Sequence, residues 1–159
     1  MVTDGGLFLN SRQQIDQAFD LIQKGDLLGA KAICFFLGKS DGGNIDAQFL
    51  LGVIAYKENR FKDAIDLVSI AIEARPTVGE YHKILGDILL ADKRIEEAVS
   101  VYRKGYNLDI SNIQLGMNLA RALRRNGGEG EALEVVKQIS NQCGNKTFAA
   151  TLASWRLSY

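Results

Sequence analysis

Ala30, Ala64, Ala98 and Ala132 recur at intervals of 34 residues, and the residues around them repeat with the same period. A fixed period of roughly 20 to 50 residues marks an array in which each unit buries its apolar face against the next. Blocks of 34 beginning at Ser11, Ile45, Gly79 and Ile113 bring chemically similar residues into register. Position 8 is always small (Ala18, Gly52, Gly86, Ala120), position 7 reads Gln17, Leu51, Leu85, Leu119, and position 11 reads Leu21, Ala55, Leu89, Leu123. These positions share one face of a 3.6-period helix, with a small residue where a neighbouring helix approaches closely.

The alanines occupy position 20. Position 24 reads Cys34, Val68, Tyr102, Val136 and position 27 reads Leu37, Ala71, Gly105, Ile139. Spacings of four and three define the buried stripe of a second helix. Between the two stripes each block carries a polar break: Lys24-Gly25-Asp26, Glu58-Asn59-Arg60, Asp92-Lys93-Arg94 and Asn126-Gly127-Gly128. Gly or Asn at the break suits the left-handed residue that ends a helix. The only proline, Pro76, follows the second helix of its block, where it no longer interrupts one. The pattern predicts helix, short turn, helix, four times over.

Charge and cysteine usage narrow the function classes. Lys plus Arg and Asp plus Glu both number 19, so no overall field draws the chain toward nucleic acid or an anionic membrane. Residues 1–78 carry 8 basic and 10 acidic side chains, and residues 79–159 carry 11 and 9. Cys34 and Cys143 form neither a disulfide framework nor a metal-ligand spacing, which favours a reducing compartment, the cytoplasm. Residues 1–10 lack the basic run of a secretory signal, and no stretch reaches the ~18 apolar residues of a membrane span. With no export signal, the sequon Asn145-Lys146-Thr147 is read as a chance match.

The combination Leu51-Gly52, Ala64, Ala71 and Pro76, followed one period later by Leu85-Gly86, Ala98 and Tyr102, resembles the tetratricopeptide repeat. The resemblance covers residues ~11–146 and implies an all-α, right-handed α-solenoid of about four helical hairpins plus a C-terminal helix. It departs at position 4, where Gln14, Gln48, His82 and Gly116 replace the family's tryptophan. The expected organisation is an N-terminal arm (1–10), four repeats (11–44, 45–78, 79–112, 113–146) and a capping or partial-repeat helix (147–159). That last segment carries Phe148, Trp155 and Tyr159 on more than one side. Three readings stand for it: a rotated cap, the cut end of a longer protein, or a surface covered by a second subunit.

No catalytic constellation is present. Gly127-Gly128-Glu129-Gly130 lacks the Lys-Ser/Thr of a phosphate loop. His82 and Cys34 fall at packing positions, Cys143 has no partner near it in sequence, and Glu96-Glu97 begins a second helix, where carboxylates complement the dipole. Neither a cofactor nor a metal is expected.

The resemblance implies that the first helices line a concave groove. Its candidate residues form an apolar half (Ile15, Phe19, Phe49, Val53, Tyr56) and a charged half (Lys83, Asp87, Arg121, Arg124, Arg125). Two readings stand for the apolar half: an open binding surface, or one covered by the arm Leu7-Phe8-Leu9. Arginines at i, i+3 and i+4 suit carboxylates, with Asp87 set to pair with Arg121 across the stack. The carboxylate clamp of heat-shock co-chaperones is not matched, because Ile15 and Phe19 stand where its Lys and Asn belong.

The leading expectation is a non-enzymatic scaffold that binds a protein or peptide segment bearing an apolar anchor and acidic groups. Two alternatives stay open. One is the N-terminal repeat region of a larger bacterial glycosyltransferase- or sulfotransferase-like protein. The other is a homo-oligomeric assembly protein using Leu7, Phe8, Leu9, Trp155 and Tyr159 for self-association.

Overall fold

The computed structural model describes residues 10–40 and 43–143. The expected arm with Leu7, Phe8 and Leu9, and the expected terminal helix with Trp155 and Tyr159, lie outside them. The described residues form eight α-helices: α1 (Ser11–Lys24), α2 (Leu27–Ser40), α3 (Ile45–Lys57), α4 (Phe61–Ala74), α5 (Gly79–Ala91), α6 (Ile95–Leu108), α7 (Ile113–Arg125) and α8 (Glu129–Cys143). They pair as hairpins within two compact units. Met1–Ala74 holds α1/α2 and α3/α4, and Arg75–Tyr159 holds α5/α6 and α7/α8. No described helix is long and apolar enough to cross a membrane.

The turns inside the hairpins share one hydrogen-bond pattern. Gly25, Asn59, Lys93 and Gly127, each 34 residues from the next, adopt left-handed φ values of 84°, 60°, 65° and 81°. Their amides donate to the carbonyls of Ile22, Tyr56, Leu90 and Arg124, and the next amides donate to those of Leu21, Ala55, Leu89 and Leu123, all at 2.9–3.2 Å. This is the Schellman arrangement, which satisfies the last carbonyls of the first helix. The carbonyls of Asp26, Arg60, Arg94 and Gly128 then accept from the amides of Ala30, Ala64, Ala98 and Ala132. Each alanine of the ladder therefore closes the opening turn of a second helix.

Asparagine serves the other end of the first helices. The Oδ1 atoms of Asn10, Asn44 and Asn112 accept from the amides of Gln13, Ala47 and Leu115 at 2.9–3.0 Å. The Asn10 amide in turn donates to Gln13 Oε1, completing a capping box. The fourth equivalent is Val78, which offers no side-chain cap.

The core follows the expected stripes. All four ladder alanines are 0% exposed, as are Cys34, Val68, Tyr102 and Val136 at position 24. Position 8 is small because the second helix leaves no room there. A Cβ on Gly52 would lie 2.7 Å from Val68 Cγ2, and one on Gly86 would lie 2.5 Å from the Tyr102 ring. His82 is buried, with Nε2 2.8 Å from the Pro76 carbonyl. Burial also pushes the Cys34 thiol up to about 11, as expected of an inert core cysteine.

Two substitutions test this account in urea unfolding. Gly86→Ala gains up to about 1 kcal/mol in helix propensity but drives a methyl into the Tyr102 ring, and overpacking of that kind costs about 1–3 kcal/mol. A net loss of about 1–2 kcal/mol is expected. Lys93→Gly relieves a left-handed side-chain conformation worth about 1–2 kcal/mol while adding unfolded-state freedom worth about 0.5–1 kcal/mol. It should stabilise the chain by up to about 1 kcal/mol, and a loss of stability would contradict the turn described here.

Candidate partner-binding surfaces

The candidate residues divide between the two units. In the first, α1 and α3 lie side by side and present Ile15, Phe19, Phe49, Val53 and Tyr56. These residues are not equally available. Ile15, Phe49 and Val53 are half-buried against the core formed by Ala18, Ile22, Cys34, Leu50 and Ile54. Tyr56 is also half-buried, its ring tilted 47° to that of Phe61 with centroids 6.2 Å apart. Phe19 keeps 50% of its surface exposed. A cavity of about 370 Å³ opens beside Ile15, lined also by Ser11, Arg12, Asp16, Asn44 and Asp46. The wall is thus a half-sunken apolar strip with one projecting ring and carboxylates at its rim.

In the second unit, α5 and α7 lie side by side and carry Lys83, Asp87, Arg121, Arg124 and Arg125. The expected pairing of Asp87 with Arg121 is not what forms. Asp87 Oδ1 accepts from the Tyr102 hydroxyl at 2.5 Å and from Asn118 Nδ2 at 3.3 Å. Arg121 Nη1 instead donates to Asn118 Oδ1 at 3.3 Å, and Gln114 Nε2 donates to the same oxygen at 3.1 Å. The reason is geometric: Asn118, one turn before Arg121, stands between the two charges and bonds to both. Asn118, Gln114 and Tyr102 are the residues that reading the sequence missed here. Tyr102 sits at a packing position, yet its hydroxyl reaches the first helix of its hairpin.

Burial raises the Asp87 carboxyl above the usual range, against the lowering effect of the Tyr102 hydrogen bond and the Lys83 charge. Lys83 itself is drawn to Glu80, with Nζ 2.6 Å from Oε1. Arg121 and Arg125 are exposed, and neither has a carboxylate partner among the described residues. Arg124 is half-buried on the same face. The outer part of this wall carries guanidinium charge, and Asp87 lies sunken beneath it. Among the described residues, no three His, Cys, Asp or Glu side chains are placed to hold a metal ion.

The raised Asp87 carboxyl has a pH consequence. The native state holds this proton more tightly than the unfolded chain does. The contribution to stability is therefore complete below the unfolded-state value and is lost as pH rises through the raised native one. Asp87→Asn keeps the oxygen that accepts from Tyr102 and Asn118 but removes the charge. The variant should be more stable than the parent at pH 7 in urea unfolding, with the advantage fading as pH falls toward 3. An advantage that grew on acidification would contradict this sign.

Residues 49–112 match the tetratricopeptide repeat family model. A crystal structure of MamA has a TM-score of 0.73 at 17% identity, covering 84% of this chain and 78% of that one. The structure of MamA 41-end from Desulfovibrio magneticus RS-1 has a TM-score of 0.72 at 18% identity, covering 84% and 75%. At such identities the likeness shows the fold alone, an all-α solenoid. No curated protein sequence matches the chain.

Proposed function

Since the chain is a tetratricopeptide-repeat protein, one of the helical arrays that offer extended binding surfaces to other proteins, we propose that it is a non-enzymatic interaction module. Its partner is a protein or peptide segment with acidic groups and an apolar anchor. The observation that carries the reading is the exposed guanidinium pair Arg121 and Arg125, without carboxylate partners among the described residues. Arginine takes carboxylates in bidentate fashion, and such charge-assisted bonds are about twice as strong as neutral ones. The projecting Phe19 ring and the strip around Ile15, Phe49, Val53 and Tyr56 suit the apolar anchor. Usage of the two cysteines favours a cytoplasmic setting for this role.

The test is an array of acidic peptides, each carrying one aromatic residue, probed with the full chain at low and high salt. Arg121→Glu with Arg125→Glu should lower capture at least about tenfold, which corresponds to about 1.4 kcal/mol. Capture by the parent should fall as salt rises. Unchanged capture by a variant with parental circular dichroism would overturn the acidic-partner reading.

A further inference from the structure

One second helix carries an apolar seam where the others are polar. Leu28, Ala32, Phe35 and Lys39 of α2 follow one another at i, i+4, i+7 and i+11, the spacing by which one helix packs along another. All four are exposed, Leu28 at 80% and Phe35 at 56%, and the flanking Phe36 is 59% exposed. The core side of α2, with Ala30, Cys34 and Leu37, packs against α1 and α3. At the three apolar seam positions α4 holds Lys62, Asp66 and Ser69, α6 holds Glu96, Ser100 and Arg103, and α8 holds Gly130, Glu134 and Lys137. The repeat folds three times without an apolar seam, so the seam of α2 answers to something other than the fold.

We propose that the seam pairs two copies of this chain, α2 against α2, antiparallel across a two-fold axis at Ala32. Charge selects this occupant. From Leu27 to Gly38 the one charged side chain is Lys31, and its Nζ lies 2.8 Å from Glu58 Oε1 within the same unit. The seam is neutral along its length and offers the acidic groups of the partner proposed above nothing to pair with. Its charges stand at the ends, Asp26 before α2 and Lys39 in its last turn, both exposed. They lie 6 and 7 positions from Ala32, so antiparallel pairing brings Lys39 of each copy to the level of Asp26 of the other. Asp26 Oδ1 accepts from the Gly29 amide at 2.9 Å, while Oδ2 can take the ammonium. Parallel pairing would set Lys39 against Lys39.

Shape agrees with the same arrangement. Leu28, the most exposed of these side chains, lies four positions before Ala32. Four positions after Ala32 stands Phe36, and next to it opens a cavity of about 370 Å³ whose lining includes Phe35, Gly38, Lys39, Ala47 and Gln48. A Cβ on Gly38 would meet nothing within 4 Å. Antiparallel pairing carries Leu28 of each copy to this end of the other α2, a knob facing a hole, and the small Ala32 lets the helices approach at the axis. Leu28, Phe35 and Phe36 offer roughly 400 Å² per copy, about 800 Å² for the pair before Ala32 and Lys39 add theirs. Interfaces below about 1,200 Å² form and part readily, so the dimer is a reversible one. None of the seam residues belongs to the proposed partner-binding walls, and pairing would present two copies of those walls to a multivalent partner.

The test is sedimentation equilibrium of the full chain from about 5 µM to about 500 µM. The mean mass should rise toward that of two chains. Leu28→Glu and Phe35→Glu, both at exposed positions, should each raise the dissociation constant at least about tenfold while circular dichroism stays parental, and either serves if the other fails to fold. Oxidative cross-linking in a Cys143→Ser background reads the geometry, since the buried Cys34 thiol is inert. Ala32→Cys, at the axis, should link two chains through a disulfide. Leu28→Cys should not, because its two copies would stand about 12 Å apart along the helices. A mass that stays that of one chain at every concentration overturns the proposal and leaves the seam to a different protein or to another segment of this chain. A dimer that survives both glutamates overturns it as well, as does one in which Ala32→Cys fails to link or Leu28→Cys links as readily.

Discussion

Every hairpin depends on the near-absence of a side chain at one point of contact. Ala18, Gly52, Gly86 and Ala120 sit where the first helix meets the second. Glycine faces Val68 and Tyr102, and it faces the largest of the four at Gly86. The fully buried position-24 side chains fill that space, each worth roughly 1.5–3 kcal/mol when large and apolar. The consequence at Gly86 goes beyond packing. A Cβ there would collide with the Tyr102 ring, whose hydroxyl bonds to Asp87 on the next residue of α5. The contact that holds the third hairpin together also fixes the carboxylate of the charged wall.

Reading the repeat made the fold class legible, because burial acts on whole columns of residues. The alanine ladder, the small position 8 and the apolar positions 24 and 27 all answer to packing between neighbouring helices, and periodicity reports packing directly. Features that depend on a single residue's local geometry were less visible. Lys93 takes a left-handed conformation that its side chain disfavours, since the Schellman turn is fixed by the bonds on either side of it. The asparagine caps at Asn10, Asn44 and Asn112 follow the same period and could have been read from it, with Val78 as the exception.

The candidate surfaces were legible as positions but not as chemistry. Ile15, Phe49 and Val53 fall at wall positions, yet part of each side chain belongs to the core, because helices of only 13 or 14 residues bury a stripe wider than the strict contact positions. Asp87 and Arg121 lie one repeat apart, so spacing alone suggests that they pair. Asn118 is shorter and better aimed than Arg121, and an amide can donate to the acid while accepting from the guanidinium. Bridging residues of this kind leave no periodic signature.

Helix electrostatics separate the arginines from one another. Arg124 and Arg125 occupy the last turn of α7, where cations are favoured by the macrodipole and by the carbonyls left open at a helix end. Their presence alone is accounted for by the stability of α7. Arg121 lies a turn earlier, outside the reach of that effect, and it adds positive charge to a wall where Lys83 already stands. Its one hydrogen bond is a long contact to Asn118, which leaves most of its guanidinium donors turned toward solvent. A charge that neither the dipole nor an ion pair explains is the feature of this wall with no role in the fold, and it sets Arg121 beside the exposed Arg125 as the pair turned toward an acidic partner.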